Sequence, residues 1–250
     1  MSGLRAVVFD LDDTLYPERD FVLGGFRAVA AWADLHLGVP ATGGYGELRG
    51  LYESGVRGST FDRWLTHHGC EAGPSVPQLI DVYRRHEPEI TPFPGVPELL
   101  ERLRRTFRVG LLSDGFLDVQ QRKLDALGIR HLFDAVVFSD EWGREAWKPS
   151  PRPCLAALER LGVDAPSTVY VADNPLKDFV GARHVGLRSV QVLRPDGEYA
   201  KAVPPTPAHA ADEVIRELGD LVGLLAYETV SRPDAGASDS QPQQGGAEHA

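Results

Sequence analysis

The sequence predicts an α/β protein with a doubly wound, Rossmann-like parallel sheet of about five strands and a small inserted helical domain. Short apolar runs alternate with amphipathic segments of helical length over residues 93–228, an order typical of βαβ units. Three of the runs end in polar residues of types that can act as catalytic groups or metal ligands. A long stretch without strand pattern, residues 17–92, separates the first run from the second.

The first strand covers residues 4–9, where the apolar run from Ala6 to Phe9 indicates a buried strand. Pro97 is tolerated in the first turn of a helix, and Gly128 and Gly162 are typical of helix ends. These signals predict further strands over 107–112, 133–138, 168–172 and 188–193, and helices over 96–105, 117–127, 151–161, 175–184 and 210–227. The core therefore comprises residues 1–16 and 93–228.

Residues 17–92 have the character of a helical insertion. Apolar residues recur at helical spacing up to Leu37, and shorter amphipathic patterns follow. The predicted short helices cover 47–52, 60–68 and 76–86, with glycine-rich breaks at 43–46 and 55–58. Residues 229–250 are rich in Ser, Gln, Gly, Pro and Ala, a composition that predicts a disordered tail.

Composition narrows the possible partners. The 250 residues are 42% hydrophobic and 25% charged, as in an ordinary globular protein, and the formal net charge is -10. That charge argues against a nucleic-acid polymer or an anionic membrane as the main partner. Cys70 and Cys154 are too few for a disulfide framework. With no signal peptide or membrane-length apolar stretch, we expect a cytoplasmic protein.

The first strand leads directly into Asp10, Asp12 and Asp13. In an extended chain the side chains of Asp10 and Asp12 point the same way, and two close carboxylates repel each other unless a cation or a shared proton relieves them. The pattern thus indicates a metal or proton-transfer site. The alternative is a strand that ends in a solvated acidic turn, because aspartate favours turns.

Two other predicted strands end in similar positions, at Ser113-Asp114-Gly115 and at Asp173. The carboxyl ends of parallel strands share one edge of a sheet, so these residues can meet Asp10 in one pocket. Both strand ends also have a simpler interpretation, with Ser113 as a helix cap and Asp173 as a helix start. Lys148, a further candidate site residue, has one as well, as a surface lysine before a proline turn. The absence of a shared site would require all of these simpler interpretations to hold at once.

Four segments together resemble the motifs of the haloacid dehalogenase-like hydrolase superfamily. They occur in the expected order and span residues 4–193. The segments are Asp10-Leu11-Asp12-Asp13-Thr14, Leu111-Leu112-Ser113-Asp114-Gly115, Lys148-Pro149, and Val171-Ala172-Asp173-Asn174-Pro175-Leu176-Lys177-Asp178. Asp114 departs from the more frequent Asn at its position and brings a negative charge near the site.

The resemblance implies a role for each matched residue. Asp10 is the expected nucleophile, and Asp12 is the general acid and base, with neighbouring acids raising its pKa. Asp13 is expected to be an outward turn residue. The implied Mg²⁺ ligands are Asp10, the Asp12 backbone carbonyl and Asp173; the phosphate contacts are Ser113, the Asp114 backbone N–H and Lys148; the supporting residues are Asp178, which orients Lys148 or a metal-bound water, and Thr14.

Details of the first motif favour one branch of the superfamily. Dehalogenases of this type lack the second aspartate, and sugar phosphomutases often have Gly-Val where this chain has Asp13-Thr14. The resemblance therefore implies a Mg²⁺-dependent phosphatase of a small phosphorylated metabolite, a nucleotide or a sugar phosphate, acting through an aspartyl-phosphate. The alternatives are a phosphomutase with the same intermediate and a non-catalytic ligand-binding member. The oligomeric state is not predicted.

In the same superfamily, an insertion at residues 17–92 forms a small helical cap that closes over the site and selects the substrate. On that basis Arg57 or Arg63 is expected to meet a second anionic group of the substrate, and Trp64 or Tyr52 to stack on a base or ring. The alternative is that Trp64 and Tyr52 belong to the insertion's core and that the arginines are solvated.

Overall fold

In the computed structural model, which describes residues 3–230, six parallel strands form one sheet in the order β3-β2-β1-β4-β5-β6. The strands are β1 (Ala6–Phe9), β2 (Arg108–Ser113), β3 (Ala135–Phe138), β4 (Thr168–Ala172), β5 (Arg188–Val192) and β6 (Glu213–Ile215). The predicted α/β parallel sheet is confirmed, with one strand more than expected.

Helices cover both faces of the sheet, as a doubly wound fold requires. The core helices are α5 (Val96–Arg104), α6 (Leu117–Leu127), α7 (Arg152–Leu161), α8 (Asp178–His184) and α9 (Asp220–Val230). One apolar cluster joins one face of the sheet to α5, α6 and α9 through residues such as Leu100 and Leu124. The second cluster joins the other face to α7 and α8 through residues such as Leu161 and Phe179.

The C-terminal part of the core differs from the prediction. A single helix over 210–227 is wrong, because the strand β6 and the helix α9 occupy this region. Ile215 is buried against the core, and β6 pairs with β5 at the edge of the sheet. A strand of three residues is too short to show alternation in the sequence. The predicted tail, apart from residues 229–230 in α9, lies outside the described residues.

Four helices form the insertion between β1 and β2: α1 (Glu18–Leu37), α2 (Ala41–Glu53), α3 (Thr60–His67) and α4 (Ala72–Arg85). They enclose an apolar cluster of their own that contains Phe26, Leu48 and Trp64. None of the described helices is both long and apolar enough to cross a membrane.

The predicted break at 43–46 is wrong, because α2 runs through it. Gly44 lies against the ring of Trp64, so closely that a Cβ there would be 2.7 Å from a ring carbon. This glycine permits close helix packing rather than a chain break. The break at 55–58 is real, since Gly55 and Gly58 adopt positive φ angles of 86° and 73°.

Candidate active site

The three central strands place their terminal side chains together. β2, β1 and β4 are neighbours in the sheet, so Ser113, Asp10 and Asp173 lie at one edge, at the carboxyl ends of parallel strands. All three side chains are buried. The predicted convergence of these residues follows directly from the strand order, and in an open α/β sheet this edge is where ligands bind.

Lys148 connects two of the acidic residues. Its Nζ donates to Asp10 Oδ1 at 2.5 Å, lies 2.7 Å from Asp178 Oδ1, and donates to the Tyr170 hydroxyl at 3.0 Å. Burial lowers the pKa of Lys148, but the charges of Asp10 and Asp178 outweigh burial and hold it well above the ordinary value. Lys148 is therefore a fixed positive charge next to the predicted nucleophile.

Asp10, Asp173 and Asp178 form a compact carboxylate group whose oxygens lie within 4.8 Å of one another. Burial, with the nearby acids, raises the pKa of Asp10 to about 7 despite Lys148, and raises the pKa of Asp173 well above its ordinary value. Buried carboxylates that repel each other are relieved by a hard cation with oxygen ligands. The donor set thus fits Mg²⁺. Asp178 is both a member of this carboxylate group and a contact of Lys148.

Asp12 is held by three partners from outside the acidic group. Lys123 Nζ donates to its Oδ1 at 2.6 Å, Gln120 Nε2 donates to its Oδ2 at 2.7 Å, and the Tyr16 hydroxyl donates to its Oδ1. Burial raises the pKa of Asp12, but Lys123 and the hydrogen bonds bring it below the ordinary value. The expectation that neighbouring acids raise this pKa is therefore wrong for the protein alone, because Lys123 and the hydrogen bonds together outweigh burial.

The side chains that follow β2 are tightly organised. Ser113 Oγ accepts a hydrogen bond from Gln120 Nε2 at 2.8 Å. Asp114 Oδ1 accepts from Ser139 Oγ at 2.7 Å and from the Lys148 backbone N–H at 2.9 Å, and its Oδ2 accepts from Lys177 Nζ at 2.8 Å. The extra negative charge of Asp114 is thus paired with a lysine and ties three loops together.

Asp13 does not point outward as expected; it is 7% exposed. Its carboxylate accepts hydrogen bonds from the backbone N–H groups of Glu18 at 2.9 Å and Glu198 at 3.0 Å. Asp13 therefore connects the first turn of α1 to the loop after β5. Because these two hydrogen bonds satisfy its carboxylate, Asp13 is buried and does not lie in a solvated turn. Thr14 is also fully buried, and its Oγ1 has no hydrogen-bond partner among the described residues.

The candidate substrate contacts of the insertion lie elsewhere. Trp64 is 1% exposed, and its Nε1 donates to Glu47 at 2.8 Å. The prediction that Trp64 stacks on a substrate ring is therefore wrong, and Trp64 belongs to the core of the insertion. Arg57 pairs with both carboxylate oxygens of Glu198, at 2.7 and 2.8 Å. Arg63 is exposed on α3. None of these three side chains lines the cavity at the acidic group.

A small cavity of about 100 Å³ opens onto the acidic group. It is lined by Asp10, Asp12, Glu18, Asp114, Asp173, Asn174, Lys177, Asp178 and Tyr199. Glu18, from the first turn of α1, enters this cavity from the insertion, and Tyr199 enters it from the loop after β5. Burial and the charge of Asp12 raise the pKa of Glu18 to about 7, which reflects the density of negative charge.

A family model for haloacid dehalogenase-like hydrolases matches residues 7–192. The chain belongs to this family. This match confirms the predicted family. Relatives that are named phosphatases confirm the prediction that the protein is a hydrolytic enzyme of the phosphatase type.

Two relatives and one solved structure show how far the similarity extends. The chain is 34% identical over 239 residues to the glyceraldehyde 3-phosphate phosphatase of Methanopyrus kandleri, covering 90% of this chain and 100% of the relative. The enzyme of the same name from Methanothermobacter thermautotrophicus is 34% identical over 76% of this chain and 85% of its own. The fold of this haloacid dehalogenase-like hydrolase is similar to that of YfnB from Bacillus subtilis, with a TM-score of 0.64, 19% identity, and coverage of 90% and 99%.

Sequence reasoning missed the residues that surround Asp12. Gln120 and Lys123 are three residues apart on the buried face of α6, where the neighbouring Leu124 is fully buried. Polar residues on the apolar face of an amphipathic helix are the signal that could have identified them. Glu18 and Tyr199 carry no such signal, because only the packing of the insertion and of the loop after β5 brings them to the cavity.

Proposed function

We propose that this haloacid dehalogenase-like hydrolase is a Mg²⁺-dependent phosphatase of a small sugar phosphate of the triose class, acting through an Asp10 phosphoenzyme. The observation that carries the proposal is the buried pair of Asp10 and Lys148 beside Asp173 and Asp178. The names of the relatives, glyceraldehyde 3-phosphate phosphatase, support the substrate class.

In the first half of the reaction, an Asp10 carboxylate oxygen attacks phosphorus while the bond from phosphorus to the leaving oxygen breaks. Asp12 gives its proton to that oxygen. The lowered pKa of Asp12 in the protein alone does not prevent this, because a bound phosphoryl group brings negative charge that raises it. Lys123, Gln120 and Tyr16 hold the Asp12 carboxylate in one orientation for this transfer.

In the second half, Asp12 takes a proton from a water molecule, whose oxygen attacks phosphorus. The bond to Asp10 breaks, and inorganic phosphate and the free carboxylate are released. The positive charge of Lys148 stabilises the phosphoryl oxygens and the Asp10 carboxylate in both halves. The Ser113 hydroxyl and the Asp114 backbone N–H supply further donors to the phosphoryl group, and Thr14 supports the loop after β1.

Asp10, Asp173 and Asp178, with the Asp12 backbone carbonyl, would hold the Mg²⁺ ion. When bound, the ion would offset the charge shared by the substrate phosphate and these acids, and would orient the phosphoryl group. In the same proposal, residues 17–92 act as the cap: they exclude water from the cavity and contribute Glu18 to its wall.

The proposal is tested with Asp10→Asn, which removes the nucleophile at nearly unchanged size. We expect Mg²⁺-dependent release of phosphate from glyceraldehyde 3-phosphate and from a generic aryl phosphate to fall at least about a thousandfold. Phosphorus NMR of the wild-type reaction follows the product, and free phosphate rather than a transferred phosphoryl group is expected.

The matched control is Asp118→Asn, on the exposed surface of α6 where the Asp118 side chain is 73% exposed. It should retain wild-type activity. Full activity in Asp10→Asn would exclude the phosphoenzyme, and activity unchanged by a chelator would exclude the metal requirement.

A further inference from the structure

Glu18 occupies an unusual place for a residue in the first turn of an insertion helix. Its side chain lines the cavity together with Asp10 and Asp12. The hydrogen bond from its backbone N–H to Asp13 Oδ1, at 2.9 Å, anchors the start of α1 to the loop after β1. The backbone of Glu18 is therefore anchored to the same loop that carries the predicted nucleophile.

Within residues 3–230, the Glu18 carboxylate has no cation closer than 4.0 Å. Lys123 Nζ lies at that distance from Glu18 Oε1, but only 2.6 Å from Asp12 Oδ1. The Glu18 side chain keeps 35% of its surface exposed. Above its pKa of about 7, the ionised Glu18 side chain presents a negative charge to the cavity that it lines.

The lysines around the cavity are already paired. Lys148 lies between Asp10 and Asp178, and Lys177 is 2.8 Å from Asp114 Oδ2. Among the described residues that line the cavity, Lys177 is the only cation. A second anionic group on a substrate would therefore meet Glu18 without an unpaired cation to balance it.

The size of the cavity brings the leaving group close to Glu18. The volume of about 100 Å³ is below the usual range of ligand pockets, roughly 300–1,000 Å³. Asp10, Glu18 and Tyr199 line this one cavity, so a phosphoryl group at Asp10 would bring a short leaving group next to Glu18 and Tyr199. A second negative charge on the leaving group is strongly disfavoured close to the Glu18 carboxylate, whereas a hydroxyl group can donate a hydrogen bond to it.

We infer that Glu18 is a specificity-determining residue that selects phosphate monoesters with a short, uncharged leaving group and rejects those with a second negative charge, such as a carboxylate. The inference rests on the proposed phosphatase activity and names a property of the same site. It concerns the charge of Glu18 and is therefore separable from the chemistry at Asp10.

The test uses two substrates that differ at one end, D-glyceraldehyde 3-phosphate and 3-phospho-D-glycerate, with an aldehyde and a carboxylate respectively. The measured quantity is the ratio of their kcat/KM values with the full chain and Mg²⁺, at a pH well above the Glu18 pKa of about 7 so that Glu18 is ionised. We expect the wild-type ratio to favour the aldehyde at least about tenfold, and Glu18→Gln to reduce the ratio about tenfold, mainly by improving hydrolysis of the carboxylate substrate.

Two further variants separate charge from shape and position. Glu18→Asp keeps the charge and should keep the preference for the aldehyde. Asp20→Asn makes the same change of charge on the exposed side of the same helix turn, where Asp20 lines a separate surface cleft, and should leave the ratio unchanged. Thermal unfolding of each variant shows that the fold is retained.

The outcomes distinguish this inference from the proposed function. Hydrolysis of both substrates with the same ratio in wild type and Glu18→Gln would overturn the inference alone. Equal loss of preference in Glu18→Asp and Glu18→Gln would also overturn it, since shape rather than charge would then decide. Failure of the wild-type protein to release phosphate from these substrates and from an aryl phosphate would overturn both proposals.

Discussion

Asp114 shows how a single charged residue is accommodated beside the proposed phosphate site. Its carboxylate accepts hydrogen bonds from Ser139, the Lys148 backbone and Lys177, so its negative charge is stabilised by partners within the protein. Burial raises the pKa of Asp114, but the charges of Lys148 and Lys177 outweigh burial and hold it below the ordinary value. The residue therefore organises the loops around it, and its charge is balanced within the protein.

This shift predicts how stability depends on pH. Because the pKa of Asp114 is lower in the folded than in the unfolded state, its contribution is fully present above the unfolded value, about 3.9, and is lost as pH falls through that value toward the folded one. Asp114→Asn lacks the Lys177 ion pair, so its free energy of unfolding should be about 1.5–3 kcal/mol lower at pH 7. The difference should shrink between about pH 5 and pH 3.

Urea unfolding over this pH range measures the difference directly. Asp62→Asn is the control, because Asp62 is exposed on α3, and its effect should stay within about 0.5 kcal/mol. A deficit in Asp114→Asn that is the same at pH 3 as at pH 7 would mean that the ion pair does not account for the stability.

At the scale of elements, the site depends on the close packing of α8 against the loop that carries Lys148. Gly181 lies at the contact: a Cβ there would be 2.7 Å from the Ser150 carbonyl oxygen and 2.8 Å from the Pro149 carbonyl oxygen. Backbone atoms cannot move aside as a flexible side chain can. Glycine at this position is therefore what allows Asp178, in the first turn of α8, to approach Lys148.

Gly181→Ala should lower the free energy of unfolding by about 1–3 kcal/mol, because the added methyl group overpacks this contact. It should also lower kcat, since moving α8 from the Lys148 loop lengthens the distance between Asp178 and Lys148. Chemical denaturation and steady-state kinetics measure the two effects.

Gly50→Ala is the matched change within α2, where a Cβ would have no atom within 4 Å. It should stabilise the protein by about 0.5–1 kcal/mol through helix propensity and leave the kinetics unchanged. Gly181→Ala with unaltered stability and activity would show that the contact is not required.

The elements that the sequence predicted best are those whose signal is local. The helix α6 begins and ends as predicted, because its apolar spacing is regular and Gly128 ends it with a φ of 68°. The glycines of α2 misled the prediction, since Gly44 is required by contact with Trp64, a residue from another helix. Propensity contains no information about such tertiary contacts.

The distinction between local sequence signals and tertiary contacts also applies to the whole molecule. Strand ends converge for topological reasons, so Asp10, Ser113 and Asp173 could be placed together from the sequence. Contacts between the insertion and the core depend on how two packed units meet, and no local pattern indicates them. Arg57 is the example: its partner Glu198 lies 141 positions away along the chain.

This ion pair leads to a prediction about the contact between the two units. The Arg57 and Glu198 side chains are 43% and 29% exposed, and exposed pairs typically contribute about 0.2–1 kcal/mol. Arg57→Met and Glu198→Gln should therefore change the free energy of unfolding by less than about 1 kcal/mol. Because Glu198 is next to Tyr199 in the cavity wall, each change should raise KM. An ion pair that contributes about 1 kcal/mol to substrate binding corresponds to an increase of about fivefold.

The double variant and one control decide whether the pair acts as a unit. Arg57→Met with Glu198→Gln should raise KM no more than either single change, since the interaction can be lost only once. Arg63→Met removes an exposed arginine of α3 that lies outside the cavity, and KM should be unchanged. Multiplicative effects in the double variant, or an equal effect of Arg63→Met, would mean that general charge on the insertion, rather than this contact with the core, controls substrate binding.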